Sequence, residues 1–225
     1  VTDERTKVDH DVQAWYADPS RWAPQGKSYE WPDRVLLADG EQQGALVHNK
    51  DVLNLGCFYP EDELYFGHTA RTWTAIDFVP DVIALCLSRF EWTKNVSFLV
   101  ADMRALPFAD ASFDVVTDFS SGDHLLREDW HKVITEAHRV LRPAGHFLVC
   151  YANRAAFEAL GPYWKECGDR PGDYGYVRTD TKEAMQQMLE ERGFMVIKHS
   201  HDNVGQLRSG MLAVKRSPAR TSSRP

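Results

Sequence analysis

The 225-residue chain has few cysteines, and Cys57, Cys86, Cys150 and Cys167 are too scattered to form a metal or redox motif. Each lies in or beside an apolar stretch, the ordinary setting of a small buried thiol. Basic residues are also scarce: 26 Lys and Arg face 33 Asp and Glu, a formal net charge of −7. Phosphate binding depends on clustered Lys and Arg, so this balance argues against a nucleic-acid partner. The one basic concentration, "VKRSPARTSSRP" at 214–225, reads as the approach to a disordered tail over 217–225. No apolar run approaches the roughly 20 residues that span a bilayer, and the opening residues carry no signal-peptide pattern. The expectation is a cytoplasmic protein without a membrane partner. Nothing in the sequence sets the oligomeric state, and a homodimer stays open.

What is present suits one domain with a substantial core over residues 1–216. Hydrophobic residues make up 43% of the chain, charged residues 26%, and seven Trp argue against disorder. "ERTKVDHDVQAWYA" predicts a helix with Val8, Val12 and Trp15 on one face. The irregular segment that follows, rich in proline and aromatic residues, makes 1–45 a candidate cap over a pocket, or a strap over hydrophobic surface.

From residue 51 the pattern changes to short apolar runs alternating with amphipathic stretches. Strands are expected at 51–55, 72–76, 96–100, 113–118 and 146–151. In "REDWHKVITEAHRVL", Trp130, Val133, Ile134, Ala137 and Leu141 share a helical stripe that Arg142, Pro143 and Gly145 bring to a stop. A last helix near 181–193 precedes two strands, "FMVIKHS" and "GMLAVKR", whose short link makes them antiparallel. The fold class is therefore α/β: a Rossmann-like, doubly wound, mostly parallel seven-stranded sheet with a closing antiparallel hairpin. Ligands of such sheets bind at the carboxyl ends of the strands, where the strand order reverses.

The first strand runs into Gly56, but Phe58, Tyr59 and Pro60 follow where a glycine-rich turn would continue. Asp77 ends the second strand, 21 positions after Gly56, and Asp102 and Asp118 end the third and fourth. One acid at a strand end commonly caps a turn. Three on one rim of a sheet suit a ligand with hydroxyl and amino groups.

These segments, "VLNLGC", "AIDFVPDVIALC", "ADMRALPFADASFDVV", "ITEAHRVLRPAGHFLV" and "MLEERGFMVI", resemble the class I S-adenosylmethionine-dependent methyltransferases. The likeness is to the small-molecule, type 11-like branch and covers about 51–216 in the family's order. It implies S-adenosyl-L-methionine as cofactor and 51–151 as the cofactor-binding core. Gly56, Cys57 and Phe58 would face its methionine part, Asp77 would hold the ribose hydroxyls beside Phe78, and Asp102 and Met103 would meet the adenine. A cofactor without phosphate needs no phosphate-cradling turn, which weighs against NAD. Glu61, Asp62 and Glu63 would either face the cofactor's ammonium or favour the start of the next helix.

The acceptor is expected to be a small molecule, methylated on oxygen (a sugar or natural-product hydroxyl) with an amine as the alternative. A binding protein without chemistry is the reading from another class. A hydroxyl acceptor needs a base, and His124, Asp118, Asp123 and Tyr151 are the candidates on the fourth and fifth strand ends. Asp118, which also belongs to the cofactor set, stands where related metal-dependent enzymes place a carboxylate, so a divalent ion such as Mg is a second route. His199, His201 and Asp202 are read as a solvated strand end. Aromatic residues of the leader and the segment 157–178, a candidate mobile lid, would wall the substrate.

Overall fold

The computed structural model describes residues 4–16, 46–58, 63, 66–89, 94–159, 171–172, 175–200 and 208–217. Five parallel strands form the centre: β1 (Asp51–Leu55), β2 (Thr72–Asp77), β3 (Val96–Val100), β4 (Phe113–Phe119) and β5 (Leu141–Asn153). Two two-residue strands, β6 (Pro171–Gly172) and β7 (Gly175–Tyr176), pair with each other, and β8 (Thr179–Asp180) pairs parallel with the end of β5. The chain closes with β9 (Phe194–His199) and β10 (Arg208–Lys215). The main sheet runs β3-β2-β1-β4-β5-β10-β9, with β10 antiparallel to both neighbours. Strand order reverses between β1 and β4.

Alternation along β1 divides the core into two layers. Leu53 and Leu55 pack with Val116, Phe147, Trp130, Ile134 and Leu189, beneath the Arg127–Val140 and Lys182–Glu190 helices. Val52 lies on the other face with Trp73, Val82, Ile83 and Cys86, beneath the Pro80–Arg89 helix. The expected stripe Trp130, Val133, Ile134, Ala137 and Leu141 is fully buried. A sheet covered on both faces explains why its central strands are nearly all apolar.

Two boundaries differ from the sequence expectation by three residues or more. β5 begins at Leu141 rather than 146, because Leu141 already pairs with Phe113 before the register breaks across the Arg142–Gly145 turn. The last helix stops at Glu190, and the chain turns at Gly193, whose φ is +85°. A side chain there would crowd the His138 ring, 2.9 Å from the Cβ position.

Glu4–Tyr16 forms the expected first helix, and buried Val8 packs against Phe78 and Leu126. The side chains of Val12, Trp15 and Tyr16, residues 17–45, and the tail from 218 lie outside the described residues. No helix among the described residues is long and apolar enough to cross a membrane.

Candidate active site

A cleft opens at the carboxyl ends of the parallel strands, beside the β1–β4 reversal. Gly56, Phe58, Asp77, Phe78, Asp102 and Met103 line one side of it; Phe119, Ser120, Ser121, His124, Leu125 and Arg208 line the other.

Gly56 follows β1 with φ +64°, and its missing side chain leaves room for Ser121. Ser121 Oγ donates to Leu55 O at 2.8 Å, which brings the turn after β4 directly onto the turn after β1. Phe58, where a glycine is usual, has φ +41°. It therefore adopts the left-handed backbone that glycine favours, at a conformational cost. That conformation directs its N–H to Asp77 Oδ2 at 3.2 Å, while Val79 N donates to Oδ1 at 2.9 Å. Burial raises the Asp77 pKa to about 6 against the pull of these bonds.

Cys57 does not line the cleft. Its thiol is buried toward Cys86, which with burial holds its pKa well above the ordinary value. Glu63 is also turned inward: Asn54 Nδ2 and Trp73 Nε1 donate to its Oε1 at 2.6 and 3.1 Å. It is buried and does not line the cleft, and that burial raises its pKa to about 7. Tyr59, Pro60, Glu61 and Asp62 lie outside the described residues.

Asp102 reaches the cleft in company. Arg104 Nε donates to both of its oxygens at 3.0 Å, and the same guanidinium meets Asp9 and Asp129. Asp9 belongs to the first helix and itself lines the cleft. Arg5, one turn earlier, donates to Asp129 at 2.7 Å. Sequence reading missed this latch, because Asp9 and Arg104 are 95 positions apart.

Of the candidate bases, only His124 lines the cleft. Asp118 is fully buried and accepts from Ser121 N and Gly122 N, with Ser121 Oγ also against its Oδ1. Asp123 is equally buried and accepts from Ala152 N at 3.0 Å and from Arg208. Tyr151 is enclosed on β5, its hydroxyl 3.1 Å from His199 Nε2. These three side chains brace the wall from behind instead of facing a substrate. Their strand-end positions were legible, but not the direction in which they point. His199 is accordingly partnered, while His201 and Asp202 lie outside the described residues. Among the described residues no group of three His, Cys, Asp or Glu is placed to hold a metal ion.

A parallel sheet with an antiparallel β10, and a cleft of carboxylates and apolar walls at its switch point, defines a Rossmann-like cofactor-binding domain. A family profile described as "Methyltransferase domain" matches residues 53–149. A fatty-acid O-methyltransferase of Mycolicibacterium smegmatis is 31% identical over 167 residues, 72% of this chain and 54% of that protein. A malonyl-[acyl-carrier protein] O-methyltransferase of Halorhodospira halophila is 27% identical over 146 residues, 64% of this chain and 48% of that protein. The chain thus spans about half the length of these curated relatives. Among solved structures, Burkholderia thailandensis 1,6-didemethyltoxoflavin-N1-methyltransferase, with bound 1,6-didemethyltoxoflavin and S-adenosylhomocysteine, superposes with a TM-score of 0.70. It is 18% identical, covering 96% of this chain and 92% of that one; at that identity it attests the fold. The chain belongs to the class I S-adenosylmethionine-dependent methyltransferases.

The donor set fits the family's cofactor. Asp77 and Asp102 offer acceptors on one side of the cleft, and Phe78 and Met103 offer the flat or soft apolar walls that an adenine needs.

Proposed function

We propose that the protein methylates an oxygen of a small metabolite, and that an apolar carboxylate is the acceptor its cleft suits best. The observation that carries this reading is Arg208, which lines the cleft on the His124 side while buried Asp123 pairs with it from behind. An Arg oriented by a buried carboxylate is preorganised to receive an anion. Leu125, in the same turn as His124, and Phe119, which packs with the core layer of Phe78, give the cleft apolar surface that suits an aliphatic chain. The names of two relatives, a fatty-acid and a malonyl O-methyltransferase, support the same acceptor class.

S-adenosylmethionine supplies an electrophilic methyl group. The residues on the Gly56 side bind it in this reading: Asp77 accepts from the ribose hydroxyls, Asp102 from the adenine amino group, and the backbone around Gly56 and Phe58 borders the methionine part. On the opposite side Arg208 and His124 orient the acceptor oxygen, and Leu125 and Phe119 exclude water. An aliphatic carboxylic acid is ionised at neutral pH, with a pKa near that of Asp or Glu. Its oxygen is already nucleophilic, so catalysis reduces to positioning. A hydroxyl acceptor is the second reading, favoured by the presence of His124 on the same wall as a base.

Octanoate, octanol and octylamine, each incubated with radiolabelled S-adenosylmethionine, test these readings. The expected product is the alkali-labile methyl ester of octanoate. Arg208→Gln should lower kcat/KM for octanoate about 10- to 100-fold, the loss of one charge-assisted hydrogen bond. Methylation of octanol without octanoate would transfer the assignment to the hydroxyl reading, and no transfer to any acceptor would remove the activity itself.

A further inference from the structure

The turn after β4 carries four cleft residues, Ser120, Ser121, His124 and Leu125, and its backbone is held from two directions. Asp118 takes the amides on one side: Ser121 N at 2.8 Å and Gly122 N at 3.1 Å. The carbonyls are taken by a residue distant in sequence. Arg178 N donates to Asp123 O at 2.7 Å, and its Nη1 donates to both Gly122 O and Leu125 O at 2.9 Å. Its Nε donates to Asp180 Oδ2 at 2.8 Å, and Arg127 pairs with the other oxygen of Asp180 at 2.7 Å. The guanidinium lies 5.2 Å from the centroid of the Trp130 ring and is only 1% exposed.

A buried guanidinium is costly to desolvate, and replacing such a pair by apolar side chains is often neutral or stabilising. Its presence here is therefore weak evidence for a stability role. What the fork does supply is geometry: one planar group fixes two carbonyls and a carboxylate at once, which a lysine ammonium cannot copy. The three carbonyls it and its backbone gather are those of Gly122, Asp123 and Leu125, on either side of His124.

We propose that Arg178 is the positioning residue of the acceptor wall. It holds the 122–125 turn so that His124 and Leu125 are set against the acceptor. It stands between β7 and β8; residues 160–170 and 173–174 of the segment expected to cover the substrate lie outside the described residues. This inference rests on reading the His124 side of the cleft as the acceptor side.

The test uses the full chain with Arg178→Gln, Arg178→Lys and Asp180→Asn. In Arg178→Gln, amide hydrogen exchange over 118–126 should accelerate about tenfold or more while the β1 amides stay unchanged, the pattern of a local opening. S-adenosylhomocysteine affinity by calorimetry should stay within about threefold, while kcat for octanoate falls about 100-fold, the usual size for a misplaced wall. The imidazole signal of His124, assigned by its loss in His124→Gln, should shift its titration midpoint. Arg178→Lys should recover part of each effect. Asp180→Asn, which leaves the guanidinium in place, should shift all three the same way by less, and it decides the matter if Arg178→Gln does not fold. Exchange that rises uniformly, with cofactor affinity and turnover lost in step, would reduce Arg178 to a structural residue. Unchanged exchange and an unchanged His124 signal would overturn the proposal outright. If no acceptor is turned over, the exchange and titration measurements still decide the role of Arg178, while the proposed reaction fails separately.

Discussion

Gly56 and Ser121 are in such close contact that a Cβ on Gly56 would lie 2.3 Å from the Ser121 Cβ. Two turns that follow non-consecutive strands are thereby fitted into each other at the point where the strand order reverses. Gly56→Ala should combine a left-handed backbone cost of about 1–2 kcal/mol with this clash. The expected result is a lower melting temperature and S-adenosylhomocysteine binding weakened by at least about tenfold, the equivalent of 1.4 kcal/mol. Adding Ser121→Gly should restore part of the loss, because the clash is relieved and the φ cost is not. Full recovery in the double variant would show that the backbone angle does not matter.

With Asp77 in the proposed ribose role, cofactor binding should depend on pH. Burial raises the pKa of Asp77 to about 6. The carboxylate is a stronger acceptor for hydroxyls than the neutral acid, so protonation weakens binding. S-adenosylhomocysteine affinity should be level above pH 7 and should fall as pH drops through about 6, by at most about tenfold per pH unit. Asp77→Asn should bind more weakly at pH 8 and lose the dependence. Calorimetry across pH 5–8 reads both, and an unchanged profile in the variant would reassign the ribose role.

Glu63 makes folding stability depend on pH in the opposite sense from a salt-bridged acid. Its pKa is raised from 4.5 to about 7, chiefly by burial. The folded protein holds this proton where the unfolded chain releases it, so the stabilisation is complete below about pH 4.5 and is lost as pH rises through about 7. The linked change is on the order of 3 kcal/mol. Glu63→Gln should flatten the slope of urea-unfolding free energy over this window, leaving a residual decline up to about pH 6 from Asp77 and Asp118, whose pKa values are also raised by burial. A slope identical to that of the parent would exclude Glu63 as its source.

The Asp9–Arg104 pair ties the first helix to the Asp102 side of the cleft. Both side chains are partly exposed, 26% and 16%, so the pair should contribute about 1 kcal/mol or less. Asp9→Asn should accelerate amide exchange over 4–16 about fivefold, with a smaller loss in cofactor affinity. High salt should produce the same change in the parent protein and little further change in the variant.

His124→Ala separates the two acceptor readings. Turnover of a carboxylate should fall by less than about tenfold, whereas turnover of a hydroxyl should lose the 10²- to 10⁴-fold that a general base typically contributes. Steady-state rates with octanoate and octanol give the comparison.

The sheet was readable from sequence because its strands are buried on both faces and stand out as apolar runs with acids at their ends. Asp77 and Asp102 were found for the same reason, and both line the cleft. Asp118 and Asp123 followed the same positional logic but face inward, since the direction of a side chain after a strand end depends on turn geometry that periodicity does not encode. Phe58 was legible only as an irregularity; its left-handed backbone, which lets its N–H reach Asp77, is a tertiary fact. Arg178, Arg208 and the Asp9–Arg104 latch were missed because each acts across 50 or more positions. The sequence signal for Arg178 was a lone cation between valine and threonine, and nothing in its neighbourhood names its partners.

The position of β10 between β5 and β9 has a consequence for how the molecule comes into being. All strands of the cofactor half, β1 to β4, leave the ribosome well before residue 208, and domains fold as the chain emerges. The outer neighbour of β5, β10, is the last of the described strands to be made, so until it arrives β5 has an open edge and Met211 and Ala213 are missing from the core. Arg208 arrives with that strand. A nascent or truncated chain ending before it would hold the Gly56 side of the cleft assembled without Arg208 opposite, with a bare strand exposed to pairing with other chains.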